Sequence, residues 1–261
     1  MVEKKSLFVE PEENSDLKIY DSQEGTDFPV DFIKSLPIFS GLSLRDLQSA
    51  TEVVQRRDLE VGEYLVSESQ SADNIFIIIE GSVKISVTRG DEEVILGFRG
   101  RGEIIGEIAV LDGASRSASV KTQTPCVIAY ISRHDFWNTL WPMSPMPYNL
   151  SCLLADRVRR LTSQLQAMAC LDAPGRLARQ ILALSQEHAV DTEQGSVIPF
   201  AISQIELAQM IGATRVQVNR TIKLWKEQEI ITVKRHSMII HQTEKLQQIL
   251  EQAENVKVSE K

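Results

Sequence analysis

The chain has 261 residues, of which 25% are charged and 43% hydrophobic, with a net charge of −8 at pH 7. That is ordinary for a globular protein with room for one large domain or two small ones. No apolar run approaches the roughly 18 residues of a membrane span, and the opening "MVEKKSLFVEPEENSDLK" lacks a secretory signal's apolar core, so the sequence reads as cytoplasmic, with no membrane partner.

Residues 1–30 hold eight acids against three lysines and little apolar periodicity, and read as a disordered acidic tail. "DFIKSLPIFSGLSLRDLQSATEVV" reads as short amphipathic helices, with Ser43 as a cap and Leu44, Leu47 and Ala50 facing inward. From about Gln55 to Ile131 the pattern changes to short strands bounded by Gly, Asp, Ser or Pro: "EYLV", "NIFIIIEGSVKISV", "EEVILGFR", "GEIIGEIAVL", "SASVKT" and "CVIAYIS". This spacing predicts an antiparallel barrel or sandwich, with "RGDEE" as a hairpin turn.

"MSPMPY" then breaks the chain. In "NLSCLLADRVRRLTSQLQAMACLD", Leu154, Val158, Leu161, Leu165 and Met168 form a heptad seam, with Asp156, Arg157, Arg159 and Arg160 off it. A seam this narrow between polar faces favours a dimeric coiled coil over a helix packed on its own barrel. Asp172-Ala-Pro-Gly175 is a helix stop and hinge, "GRLARQILALSQEHA" another amphipathic helix, "VDTEQGS" a loop, and "TEKLQQILEQAENVKVSEK" a helix fraying into a tail.

Between these last segments, Ser203 with Glu206 and Thr214 with Gln217 each have the spacing of a capping box, with Gly212 between them. The pattern predicts helix, tight turn, helix, with Leu207, Ile211, Val218, Ile222 and Trp225 as the shared core. Arg215, Gln217, Asn219, Arg220 and Lys223 are left for the second helix's outer face. A recognition helix presents such side chains to base edges in a major groove, where Arg pairs with guanine and Gln with adenine. "IITVKRHSMIIH" reads as a hairpin wing with Lys234 and Arg235 at its tip for phosphates. Residues 205–241 hold six Lys/Arg against three acids, so the negative net charge does not exclude DNA.

The stretch "GEIAVLDGASRSASV" (106–120) has the residue types a cyclic phosphate and a ribose require. Arg116 can give charge-assisted hydrogen bonds, Gly106 admits a close backbone, Glu107 can accept from a ribose hydroxyl and Ser117 can add a phosphate contact. On spacing alone, a surface salt bridge between Glu107 and Arg116 with ordinary glycine turns accounts for the stretch equally well. Cys126, Cys152 and Cys170 fit reduced thiols buried as small hydrophobes, and neither they nor the four histidines have metal-ligand spacing.

Several stretches, in one order over about residues 30–242, resemble the cyclic-AMP receptor protein/fumarate–nitrate regulator (CRP/FNR) family of bacterial transcription factors. They are "LPIFSGLS", "IIIEGSVKI", "GEIAVL…RSASV", "LDAPGRLARQIL" and "ISQIELAQMIGATRVQVNRTI". The resemblance implies an α+β protein: the acidic tail (1–30), a cyclic-nucleotide-binding jelly-roll barrel (31–145), a dimerisation helix (146–172), a winged helix-turn-helix (173–243) and a C-terminal helix or tail (244–261). It implies a regulator rather than an enzyme, with cyclic AMP as allosteric effector and no other cofactor or metal. Its partners would be a second copy of the chain, a palindromic double-stranded operator and RNA polymerase. The effector site would be Gly106, Glu107, Ile108, Arg116 and Ser117, with Thr162, or Ser163 beside it, for the adenine. The DNA-contacting set would be Ser203, Thr214, Arg215, Gln217, Asn219, Arg220, Lys223, Lys234 and Arg235.

Two departures stand out. Leu161 and Thr162 occupy the places where the cyclic-AMP receptor has Thr-Ser, and Val216 replaces the acid that would accept from cytosine, as in the family's nitrogen regulators. The alternative is the same DNA-binding fold with a sensor left empty or answering to another metabolite or a protein partner. Iron–sulfur and haem branches are set aside, because residues 1–130 contain one Cys and no His.

Overall fold

Two aromatics four residues apart, on either side of a proline, stand at the start of the first helix. Phe28 is buried and stacks on Phe32 with ring centroids 5.2 Å apart, and Pro29 precedes helix α1 (Val30–Ser35). The structure, a computed structural model, describes residues 28–90 and 92–256. The expected acidic tail lies outside them except for its last three residues, which belong to the fold. The chain forms two compact units: residues 28–81 with 101–151, and residues 82–100 with 152–256.

In the first unit a 3-10 turn (Pro37–Phe39) leads to α2 (Leu44–Val53), whose Ser43 cap accepts from the Asp46 N–H at 3.2 Å as expected. Leu47 and Ala50 are buried, but Leu44 is 68% exposed, against expectation. At about 100° per residue Leu44 lies nearly a quarter turn from the line through Leu47, Ala50 and Val54, and it sits in the uncovered first turn.

The strands are β1 (Gln55–Leu59), β2 (Tyr64–Val66), β3 (Asn74–Glu80), β4 (Val83–Arg89), β5 (Glu92–Arg99) and β6 (Ile104–Ile105). Helix α3 (Glu107–Asp112), strands β7 (Ser119–Thr122) and β8 (Cys126–Ser132), and a short α4 (Arg133–Asp135) follow. Of the strands, β4 and β5 fall in the second unit. In the first, an antiparallel sheet has the order β1-β8-β3-β6, with Phe76 opposite Tyr130 and Ile77 opposite Ile104, and β2 pairs with β7. The unbroken apolar run of β3 is explained by its place inside this sheet, where Ile75 to Ile79 are all buried. The expected barrel does not close, because β6 has only two residues before Gly106 turns the chain into α3. The expected strand "GEIIGEIAVL" is therefore cut in two.

In the second unit, β4 and β5 form the expected hairpin. Helix α5 (Met146–Cys170) is 25 residues long, begins in the first unit and continues from Cys152 in the second. It is followed by α6 (Ala173–His188), β9 (Val190–Thr192), β10 (Gly195–Ile198), α7 (Gln204–Ile211), α8 (Arg215–Glu227), β11 (Ile231–Val233), β12 (Met238–Ile240) and α9 (Thr243–Val256). The expected loop "VDTEQGS" is the hairpin β9–β10, so the wing is part of a four-stranded sheet, β11-β12-β10-β9. Gly195 makes this possible: its φ is +120°, and a Cβ there would lie 2.3 Å from the Ile240 carbonyl oxygen.

Leu177, Ile181, Leu207, Ile222, Trp225, Ile240 and Leu246 share one core, to which β5 adds Ile95 and Phe98. The hairpin is also bound to α7 by polar groups. Gln209 accepts from the Ile95 N–H at 3.0 Å and donates to the Glu93 carbonyl at 3.1 Å. The Lys84 ammonium reaches Glu93 and Glu206 at 3.1 and 3.3 Å. Burial pulls the Lys84 pKa down, but hydrogen bonds and charge from the two carboxylates outweigh it, and the pKa rises above its ordinary value.

The C-terminal helix is structural rather than frayed. Leu246 is fully buried, and Gly175 of α6 lets α9 approach so closely that a Cβ there would stand 2.5 Å from the Ala253 Cβ. Cys126 is buried as expected, but Cys152 and Cys170 are exposed thiols at outward positions of α5. Among the described residues no helix is long and apolar enough to cross a membrane.

The close α6–α9 contact predicts that Gly175→Val overpacks the second unit and destabilises it by about 2 kcal/mol. Urea unfolding followed by tryptophan fluorescence measures this, and an unshifted transition would show that the two helices do not meet there.

Candidate functional site

Strand β6 delivers the chain to Gly106, whose φ of +82° reverses it into α3, and β7 begins three residues after Arg116. The backbone on either side of Arg116 is pinned to one loop: the Arg116 N–H donates to the Gln70 carbonyl and the Ser69 N–H to the Arg116 carbonyl, both at 2.9 Å. The side chain then turns inward and is 4% exposed. Its Nη1 donates to the Gly106 carbonyl at 2.9 Å and its Nη2 to the Asn74 carbonyl at 2.6 Å, and the guanidinium lies 5.6 Å from the centre of the Phe76 ring. Burial lowers the Arg116 pKa, against the charges of Asp73 and Glu107, which raise it. The group stays a cation nonetheless. Two of a guanidinium's five N–H donors go to these carbonyls, and the buried Nε has no hydrogen-bond partner.

Glu107, the first residue of α3, is 2% exposed. This disposes of the surface salt-bridge reading, since both side chains are interior. A buried cation and a buried carboxylate on one short turn form a site for a group with an anionic end and hydroxyl donors. Gly106 is needed twice: for its backbone angle, and because a Cβ there would fall 2.2 Å from Arg116 Nη1. Ile108 and Ser117 lie exposed at the rim. Thr162 belongs to the other unit, exposed on α5. Sequence reasoning missed Asn74, Phe76 and the loop at Ser69 and Gln70. Asn74, a polar residue heading the apolar run of β3, was the only available signal.

A concavity of about 340 Å³ in the second unit is lined by arginines, among them Arg160, Arg176 and Arg179. These hold the fold together. Arg176 donates to the carbonyls of Leu171 and Gly212, Arg179 to the carbonyl and hydroxyl of Ser163, and Arg160 pairs with Glu187. Of the expected ligand residues Ser163 alone lines it, with its carbonyl and hydroxyl bonded to Arg179.

The second candidate surface is α7, Gly212 and α8. Both capping boxes form, and Gly212 closes α7 in the left-handed conformation. Leu207, Ile211, Val218, Ile222 and Trp225 are all buried, as expected. Arg215, Asn219, Arg220 and Lys223 are exposed on α8, and Lys234 and Arg235 at the β11–β12 turn, where the Lys234 N–H donates to the Ser237 carbonyl at 2.8 Å. Gln217 is exposed but its amide oxygen is taken: it accepts from the Thr214 N–H at 2.9 Å and from the Thr214 hydroxyl at 3.0 Å. Bidentate pairing with adenine needs that oxygen as an acceptor. Gln217 and Thr214 therefore set the helix start, as do Ser203 and Glu206 for α7.

Residues 56–140 match the cyclic nucleotide-binding domain family, and residues 175–249 match the Crp-like helix-turn-helix domain family. The cAMP-activated global regulator CRP of Haemophilus influenzae is 31% identical over 68% of this chain and 80% of its own. The CRP-like cAMP-activated regulator of Mycobacterium tuberculosis is 28% identical over 80% of this chain and 94% of its own. The solved c-di-GMP responsive global regulator CLP of Xanthomonas campestris superimposes with a TM-score of 0.63 at 25% identity, covering 76% of this chain and 99% of its own. The chain is a DNA-binding transcription regulator with a cyclic-nucleotide-binding sensor, not an enzyme. It belongs to the CRP/FNR family.

Gly106→Ala is expected to destabilise the first unit by about 2 kcal/mol through backbone strain and the clash with Arg116. Removing that side chain relieves the clash, so the double variant Gly106→Ala/Arg116→Ala should lose less than the sum of the two single losses. Strict additivity in thermal unfolding would mean that the two residues do not touch.

Proposed function

We propose that the chain works as a homodimer that binds a palindromic operator when cyclic AMP occupies the sensor. Gly106 and Glu107 take the ribose, Arg116 and Ser117 the cyclic phosphate, Ile108 the pocket rim, and Thr162 of α5 the adenine. The observation that carries the reading is Arg116: an interior cation facing Glu107 across Gly106, with N–H donors beyond those used by the Gly106 and Asn74 carbonyls. The cAMP-activated relatives support the choice of nucleotide.

Calorimetric titration with cyclic AMP, cyclic GMP and cyclic di-GMP tests it. Cyclic AMP should bind in the micromolar range and Arg116→Ala should abolish the heat while the variant stays folded. Heat from cyclic di-GMP alone, the ligand class named for the Xanthomonas relative, would move the sensor to that effector.

The dimer contact is the seam of α5. Val158, Leu161, Leu165 and Met168 are 62, 53, 67 and 40% exposed, an apolar stripe with charged neighbours. Two recognition helices joined in this way reach half-sites about one DNA turn apart. Arg215 and Arg220 read bases, with Asn219 beside them, while Lys223, Lys234, Arg235 and the Ser203 cap hold phosphates. RNA polymerase is the partner through which binding alters transcription.

Leu161→Asp should give a folded monomer by light scattering and lose operator affinity. Lys234→Ala and Arg235→Ala should each weaken binding to all sequences and reduce the salt slope by about one. A dimer unaffected by Leu161→Asp would place the interface elsewhere.

A further inference from the structure

Helix α8 has one position that the fold does not use. Taking about 100° per residue, the buried side chains Val218, Thr221, Ile222 and Trp225 lie between about 140° and 240° from Val216. Val216 thus points directly away from the core, and it is 77% exposed. On the same scale Lys223, Arg220 and Asn219 stand within about 60° of it, and Arg215 and Gln217 flank it at about 100° on either side. The centre of the outward face is therefore apolar, surrounded by cations and amides.

A β-branched residue in the first turn of an exposed helix gains nothing from helix propensity, and no side chain of this fold covers it. What enters a major groove at this point meets base edges, and those edges carry a single apolar group, the 5-methyl of a pyrimidine. Valine can neither donate nor accept. Set against cytosine N4 or the guanine O6/N7 edge, it would strip water from polar atoms and replace none of their hydrogen bonds. Against a methyl group it buries apolar surface at no polar cost.

We propose that Val216 reads the 5-methyl group of a thymine in each half-site, between the bases contacted by Arg215 and Arg220. The inference rests on the DNA-binding role of α8, and it assigns that surface a base the two arginines cannot select. Burial of one methyl is worth about fourfold in affinity per half-site, and so about fifteenfold for a symmetric site held by a dimer.

The test uses the full chain with the cyclic nucleotide that supports binding. Duplexes are selected from a random library, and each thymine in turn is replaced by deoxyuridine, which removes only the methyl. One symmetric pair of positions should show the loss. At that pair 5-methylcytosine should bind more tightly than cytosine. Val216→Ser should abolish both differences, and since the residue is solvent-exposed that variant should keep the fold, which circular dichroism checks. Val216→Glu should change the preference there to cytosine.

If selected sites bind tightly but no deoxyuridine substitution matters, or if the methyl effect survives Val216→Ser, the assignment is overturned while α8 remains the DNA-binding element. If no duplex is bound under any nucleotide condition, the DNA-binding reading fails and this inference fails with it.

Discussion

The sensor is organised around a guanidinium that has been taken out of water. Arg116 gives hydrogen bonds to two backbone carbonyls, Gly106 and Asn74, and so ties the turn after β6 to the start of β3, the strand with which β6 pairs. Carbonyls take two of its N–H groups without neutralising its charge, so the interior of this unit holds a cation on which the charges of Asp73 and Glu107 act. The neighbouring features follow from this placement. Position 106 has to lack a Cβ, β6 has to stop after two residues, and the loop at Ser69 and Gln70 has to grip the Arg116 backbone. Keeping a cation in that place costs stability, a cost that a ligand bringing negative charge would offset.

The DNA-binding end obeys a different constraint. Its recognition helix is fixed at its start by reciprocal hydrogen bonds between Thr214 and Gln217, and α7 by those between Ser203 and Glu206. Such boxes remove orphan N–H groups and set the angle at which a helix leaves its turn. They also consume side chains. The Gln217 amide oxygen that holds the turn accepts from the Thr214 N–H and hydroxyl, so in this arrangement it is not open to adenine.

Much of this was legible in the sequence, and unequally so. Both capping boxes, the Gly212 turn, the five core residues of the helix-turn-helix and the charged wing tip were all readable, because each is a local pattern with a local cause. Strand β1 was not, since "QRRDL" is a polar edge strand that buries only Leu59 and shows no alternation. The hairpin β9–β10 was hidden for a similar reason, its first strand being wholly exposed. In the candidate pocket the residue types offered Gly106, Glu107 and Arg116 and the family resemblance assigned them, but the further partners of Arg116, at Asn74 and the Ser69–Gln70 loop, come from roughly 40 positions earlier, and no periodicity reports a contact of that kind. The engagement of Gln217 was overlooked for another reason: the capping box and the adenine contact were read separately from the same side chain, although one oxygen cannot serve both.

The hairpin of β4 and β5 has a consequence for how the molecule is made. Ile95 and Phe98 belong to the core that Leu177, Ile222 and Leu246 complete, so the second unit is not one continuous stretch of chain. During synthesis the hairpin leaves the ribosome roughly 150 residues ahead of Leu246, a wait of order ten to thirty seconds at ordinary elongation rates. Its first core partners, Leu177 and Ile181 of α6, follow about 80 residues later, and the core is complete only with Leu246. The apolar face of the hairpin is therefore uncovered in the middle of translation rather than at its end, before the core it belongs to is complete.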